Sequence, residues 1–447
     1  MQYSIEHIGS FKFLRLQLVK IIQKSQVFYI AKAPASEIIK MFTVSPAKYD
    51  VRKLQLLAST FKDEQGYYNS LISNKNEKIK KTDFQRDKDV NRVNKISKFL
   101  LENEYSYFPN TIICTCDLID TEKDNKPDEI VENYYTENQT LSFLTTKGND
   151  FYLYIPIINN SILVIDGQHR LEGLKKYCEE NNECQFEIIL SFFLDLDRAI
   201  IAQQFYTINY EQKSVNKSIL YHLMGEFSDE INELTLLHNY VRILNELDKS
   251  PFYSRIKMLG KTPPELGANE KQKLSISQAF LIDELLKTIS KKSYNSIYQP
   301  IFLKSFNSND LQISIVKTII NFFNAVEHLR PDWNTPEVSV LSKGLGVGAL
   351  IKVLQFLVPM LYIDNFFRDY ERTMNLSKEN YIEFLKGIED LNIKSFSGQG
   401  GAGSISKIKE AMVEKIEYFN ANSYAEFEDR FKTHYLQEFK KFTKSML

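Results

Sequence analysis

The stretch from Ser161 to Tyr177, SILVIDGQHRLEGLKKY, constrains this chain more than any other. Ile162-Leu163-Val164-Ile165 is a short apolar run of the kind that makes a buried strand, and Asp166 and Gly167 break it. From Gln168 the periodicity becomes helical, with Leu171, Leu174 and Cys178 on one face and Glu172, Lys175 and Lys176 on the other. Asp166 reads as the helix N-cap, and Gly167 as the residue that lets the backbone approach a bound group closely. His169 and Arg170 then fall in the first helical turn, where the helix dipole disfavours cations. An anion bound there would resolve the conflict, because backbone N–H groups, an arginine fork and an imidazole together make a phosphate site. The plain alternative is a capped strand-to-helix turn with solvated charges.

The rest of the chain supplies a frame for this turn. With 447 residues, 43% of them hydrophobic, it can bury a substantial core and form two domains. Lys and Arg number 56 against 57 Asp and Glu, so no global charge advertises nucleic acid, and any DNA contact must come from local patches. The N-terminus lacks the apolar core of a signal peptide, and no long uncharged run reads as a membrane span. Cys114, Cys116, Cys178 and Cys184 lack zinc-site spacing and are expected as free thiols, which fits a cytoplasmic protein.

Residues 1–25 read as an amphipathic opening segment, and Gln26–Ala31 as the first strand. A short helix through Ile38, Ile39 and Met41 follows, capped by Ser36. Lys75–Lys98 carries nine Lys/Arg against four Asp/Glu. Its second half, with Val90, Val93, Ile96, Phe99 and Leu100 at helical spacing, is an amphipathic helix whose charged face is either solvated or a patch for a partner. Further strands are expected at 111–114, 151–158 and 185–194, with a polar insertion over 118–150 and a helix over 197–208. Beyond Lys217 the apolar pattern is helical, over 217–227, 230–248, 275–290, 311–329, 344–363, 379–389 and 405–442. Gly344, Gly346 and Gly348 are not followed by Gly-Lys-Ser/Thr, so they read as tight helix entry or packing and not as a P-loop. The glycine-rich run Ser397–Ser404 reads as a hinge or as a loop able to approach a phosphate backbone.

Asp166-Gly167-Gln168-His169-Arg170 spells DGQHR, after an apolar strand and at the opening of a helix. This resembles the DGQHR-domain proteins, which include the DndB and DpdB families associated with bacterial DNA modification, and whose core is similar to that of the ParB and sulfiredoxin superfamily. SPFYSRIK at Ser250–Lys257, the SISQAF stretch ending at Phe280, and Gly344–Gly348 also resemble DndB-like proteins. The resemblance implies an α/β fold, a ParB/sulfiredoxin-like mixed sheet with helices over residues 26–216, followed by a mostly α-helical C-terminal domain over 217–447. It implies a nucleotide pocket at Gly167, Gln168, His169 and Arg170, approached from the opposite side by Gln85 and Arg86. Asn209 and Lys213 are the nearest matches to an Asn and a basic residue that contact the nucleotide and its metal. The usual Glu-Asn pair and its Arg are absent, so no metal ligand is assigned, and Asn209 alone reads equally as a helix C-cap.

If ATP or another NTP binds there, with Mg2+ as its companion ion, Arg170 would neutralise phosphate charge and the helix N–H groups would hold phosphate oxygens. His169 could donate to a phosphate or act as acid or base. Asp166 could orient His169, hold a metal-bound water or only cap the helix. Gln168 could order a water or pack against the base. Neither H-E-x-x-H, G-x-S-x-G nor a Walker A motif occurs, which sets aside metallohydrolase, serine-hydrolase and P-loop chemistry. Three functions remain open. The first is a DndB-like regulator that binds DNA beside other proteins of a modification gene cluster in phage defence. The second is a DpdB-like ATPase serving phosphorothioate or 7-deazaguanine modification, and the third an interaction scaffold with a vestigial pocket. A homo-oligomer is compatible with all three.

Overall fold

The computed structural model describes residues 2–43, 49–73, 89–122, 125–181, 184–210, 216–227, 232–263, 266–337, 339–364, 368–392, 396 and 402–444. The chain forms two compact units, Met1–Lys48 with Lys78–Ser214, and Tyr49–Glu77 with Val215–Leu447.

The first unit is built on an eight-stranded mixed sheet. Strands β1 (Tyr3–Ile8), β2 (Phe11–Gln23) and β3 (Gln26–Pro34) open it, joined by two-residue turns in which Gly9 and Lys24 take positive φ. The stretch expected as a separate opening segment thus supplies two strands of the sheet, Tyr3–Ile8 and Phe11–Gln23. In β2 the alternation Leu14-Arg15-Leu16-Gln17-Leu18 turns the three leucines into the main core, while Phe13 points to the other face. The order is β5-β6-β2-β3-β8-β4-β7, with β1 also pairing β2, and β4 (Ile112–Cys116), β5 (Phe143–Lys147), β6 (Asp150–Pro156), β7 (Leu163–Asp166) and β8 (Glu187–Leu194) completing it. Only β4 and β8 pair in parallel; every other pair in the sheet is antiparallel.

Helix α1 (Ala35–Met41) begins after Pro34 without a side-chain cap, so Ser36 lies inside the first turn and does not cap it. Two helices of the other unit come next in the chain, α2 (Val51–Ala58) and α3 (Glu64–Ser73). Helix α4 (Val90–Glu102) starts at Asp89, whose carboxylate accepts from the Arg92 N–H at 3.1 Å. The polar insertion holds α5 (Pro127–Tyr134) as well as β5, and its Tyr135 joins Phe13, Phe143 and Tyr154 in a second aromatic core. Helices α6 (Gln168–Glu180) and α7 (Arg198–Tyr210) follow β7 and β8.

Among its described residues the second unit is helical apart from a two-residue parallel pair, Ile256–Lys257 with Ile276–Ser277. Its helices α8 (Lys217–Phe227), α9 (Glu233–Glu246), α11 (Gln278–Ile289), α13 (Gln312–Leu329) and α14 (Gly344–Asp364) follow the sequence periodicity closely, while α10 (Ala268–Lys273) and α12 (Leu303–Phe306) fall where no helix was expected. A Cβ at Gly346 would overlap the Val340–Leu341 backbone, so the glycine run does serve close packing at a helix entry. By length and composition α14 could cross a bilayer, which the sequence reading did not register. Its most apolar window is 83% buried within the protein, as expected of a central core helix. The continuous helix expected over 405–442 is broken. Ala402–Lys415 ends before a left-handed Asn420, and Ser423 caps a new helix at Tyr424–Arg430.

Candidate functional site

Strand β7 delivers Asp166 opposite Ile113 on β4, next to a register shift between Ile113 and Cys114. Gly167 then takes φ 100° and ψ 7°, a left-handed conformation that suits glycine. A Cβ here would also stand 3.0 Å from Ile112 and 3.1 Å from the Arg170 guanidinium. Gly167 is the N-cap of α6. Asp166 is thus the last strand residue and not the cap, and no side chain caps the helix.

Asp166 pairs instead with Arg170, one helical turn on, at 3.1 Å. Arg170 also donates to the carbonyls of Asn110 at 2.9 Å and Thr111 at 3.0 Å. The guanidinium therefore ties the lead-in to β4 onto the turn, and its fork is largely committed within the protein. His169 is half-buried beside it, and Gln168 is buried. Leu171 and Leu174 face the core as the periodicity required, but Glu172, expected among the solvated residues, is buried as well.

Helix α6 crosses α4 at Gly173, where a Cβ would overlap Ile96, and Lys176 donates to Asn94 at 2.8 Å. Gln85, Arg86 and Lys213 lie outside the described residues, as do Ser397–Gly401 and the charge-rich first half of Lys75–Lys98 through Lys88. Asn209 lies within α7, which is described as far as Tyr210; its side chain is likewise outside the described residues. Helix α7 packs along β7. A shallow cavity of about 330 Å³, bordered by Lys40, Thr43, Asn159 and Lys175, lies one to two turns beyond Arg170 and not at the DGQHR residues.

The cysteines divide. Cys114 and Cys116 are buried free thiols, and burial pushes Cys116 up to about 12. Cys178 and Cys184, expected as free thiols, form a disulfide that joins the end of α6 to the approach to β8. With five residues between them, nothing in the spacing signals a pairing without knowledge of where α6 stops.

Sequence reasoning also missed a buried polar cluster in the second unit. The chain holds no H-E-x-x-H motif, but α8 and α9 bring His222, Glu226 and His238 together beside Arg242. The available signal was the His222-x-x-x-Glu226 spacing, which places both side chains on one helix face.

A family model described as DndB, DNA-sulfur modification-associated, matches residues 16–345 of the chain. Neither a curated protein nor a solved structure matches it.

Proposed function

Because the chain belongs to this DndB family, associated with DNA-sulfur modification, we propose that it binds DNA and regulates such a system, with the DGQHR turn as its nucleotide-phosphate site. We read the first unit as a ParB- and sulfiredoxin-like core. The observation that supports the phosphate site is the start of α6. Its N-cap is a left-handed glycine, no side chain caps it, and its first turn carries no acid but holds His169 and Arg170. A helix N-terminus so equipped suits a phosphate ester. In this reading His169 contacts the nucleotide, and Arg170 positions the turn through Asn110, Thr111 and Asp166.

The DNA contact we assign to the outer face of α4. Arg92 and Lys95 are exposed there, and Tyr105 and Tyr107, just after the helix, are 81% and 69% exposed. Cations supply phosphate contacts, and unpacked aromatic rings can stack on bases.

Calorimetric titration with ATP tests the site. His169→Ala is expected to lose ATP binding while keeping the wild-type Tm, whereas equal affinity in the two proteins overturns the assignment. Phosphate release during the same titration would make the protein a hydrolase. For DNA, the Arg92→Ala/Lys95→Ala variant is expected to lower the slope of log K against log salt by about 1.8, at about 0.9 per phosphate contact. An unchanged slope rules out α4 as the DNA surface.

A further inference from the structure

We infer that His222, Glu226 and His238 form a binding site for a divalent transition-metal ion, with zinc the ion its donors suit best. His222 and Glu226 stand four residues apart on α8, and His238 reaches them from α9. Their candidate donor atoms all lie within 4.8 Å of one another. Bonds of about 2.0–2.2 Å to zinc need donors roughly 3.3 Å apart, so modest side-chain rotation closes the set.

The packing is arranged around the imidazoles. A Cβ at Gly225 would overlap the His238 ring, so the glycine lets that fully buried ring lie directly against α8. The two imidazole rings stand 5.3 Å apart at 66°.

The hydrogen bonding around the cluster leaves a cation wanting. With its amide oxygen toward the helices, Gln278 accepts from His238 Nδ1 at 3.1 Å and from the His222 backbone N–H at 3.2 Å, while its nitrogen donates to the Met258 carbonyl at 2.8 Å. The opposite orientation would set the amide nitrogen against that backbone N–H. With a proton on Nδ1, His238 Nε2 faces Glu226 at 2.9 Å, a contact that needs either a second ring proton or a bound cation between nitrogen and carboxylate. Orientation of one ring nitrogen by an outer partner is the usual device for presenting the other to a metal. His222 Nδ1 is buried with no hydrogen-bond partner. Arg242 bridges Glu226 at 2.9 Å and Glu246 at 3.1 Å. Tyr49 and Tyr67 also donate to Glu246 and remain neutral phenols. Two carboxylates thus share one guanidinium, and a bound cation would supply the missing positive charge. Two nitrogens and one carboxylate oxygen favour zinc over magnesium or calcium.

The test uses the full chain without a histidine tag, stripped with chelator, dialysed against zinc sulfate and then against metal-free buffer. About one zinc per chain by mass spectrometry of the metal, a higher Tm than the stripped protein, and visible d–d bands after cobalt chloride are expected. Gln278→Leu, which spares all three ligands, is expected to bind zinc about 10–100-fold more weakly. Zinc well below one per chain after reconstitution overturns the proposal. So does full zinc content in a His222→Gln/His238→Gln variant whose circular dichroism matches wild type.

Discussion

Arg170 ties three separate pieces of backbone and side chain together, the Asn110 carbonyl, the Thr111 carbonyl and the Asp166 carboxylate. Its removal leaves those acceptors short of a charged donor, and Arg170→Ala is expected to cost about 2–3 kcal/mol in urea unfolding. Arg170→Lys would recover only part of this, since an ammonium cannot span the three acceptors as a planar fork does. Loss of ligand binding in the alanine variant therefore reports folding as well as recognition, which is why His169 is the sharper probe of the turn. The sequence made the turn itself legible, because an apolar run ending in Asp-Gly before a helical period has few other outcomes. It did not say which residue caps the helix. Asp166 has the right chemistry for a cap, but its carboxylate is engaged by Arg170 one turn on, a preference visible only once the β4 lead-in is in place. Glu172 was misplaced for a similar reason, since helical period cannot show that α4 covers that side of α6.

At the scale of elements, the N-terminal hairpins carry the main lesson. Period-two alternation is present in β2, but apolar residues on both of its faces make it read as an amphipathic opening segment and not as a strand. The turn between β2 and β3 contains Lys24 at φ 56°, a left-handed conformation costly for a side chain. Lys24→Gly is expected to raise stability by about 0.5–1 kcal/mol, read as a higher urea midpoint at unchanged m. An unchanged or lower midpoint would show that chain entropy outweighs the relieved strain. The C-terminal helices were legible in type but not in length, because apolar spacing continues across Asn420, where the backbone turns left-handed.

At the scale of the whole molecule, the second unit is discontinuous. Its early segment is fastened by Tyr49 and Tyr67 to Glu246, by Glu64 to Lys249 at 2.8 Å, and by Gln55 to Ser254 at 2.7 Å. No local pattern could reveal this, because the partners lie nearly two hundred residues downstream. A fragment of residues 217–447, cut where the helical period begins, is expected to lose cooperativity in thermal unfolding, and a co-expressed 49–77 segment to restore part of it. A fragment as cooperative as the full chain would show that those contacts are dispensable. The same threading sets a timetable for synthesis. Tyr67 leaves the ribosome 179 residues ahead of Glu246, which at about 5–20 residues per second is a wait of roughly 9–36 s. During that interval the sheet can close while α2 and α3 still lack their native partners, so chaperone demand should peak midway through translation and not at its end.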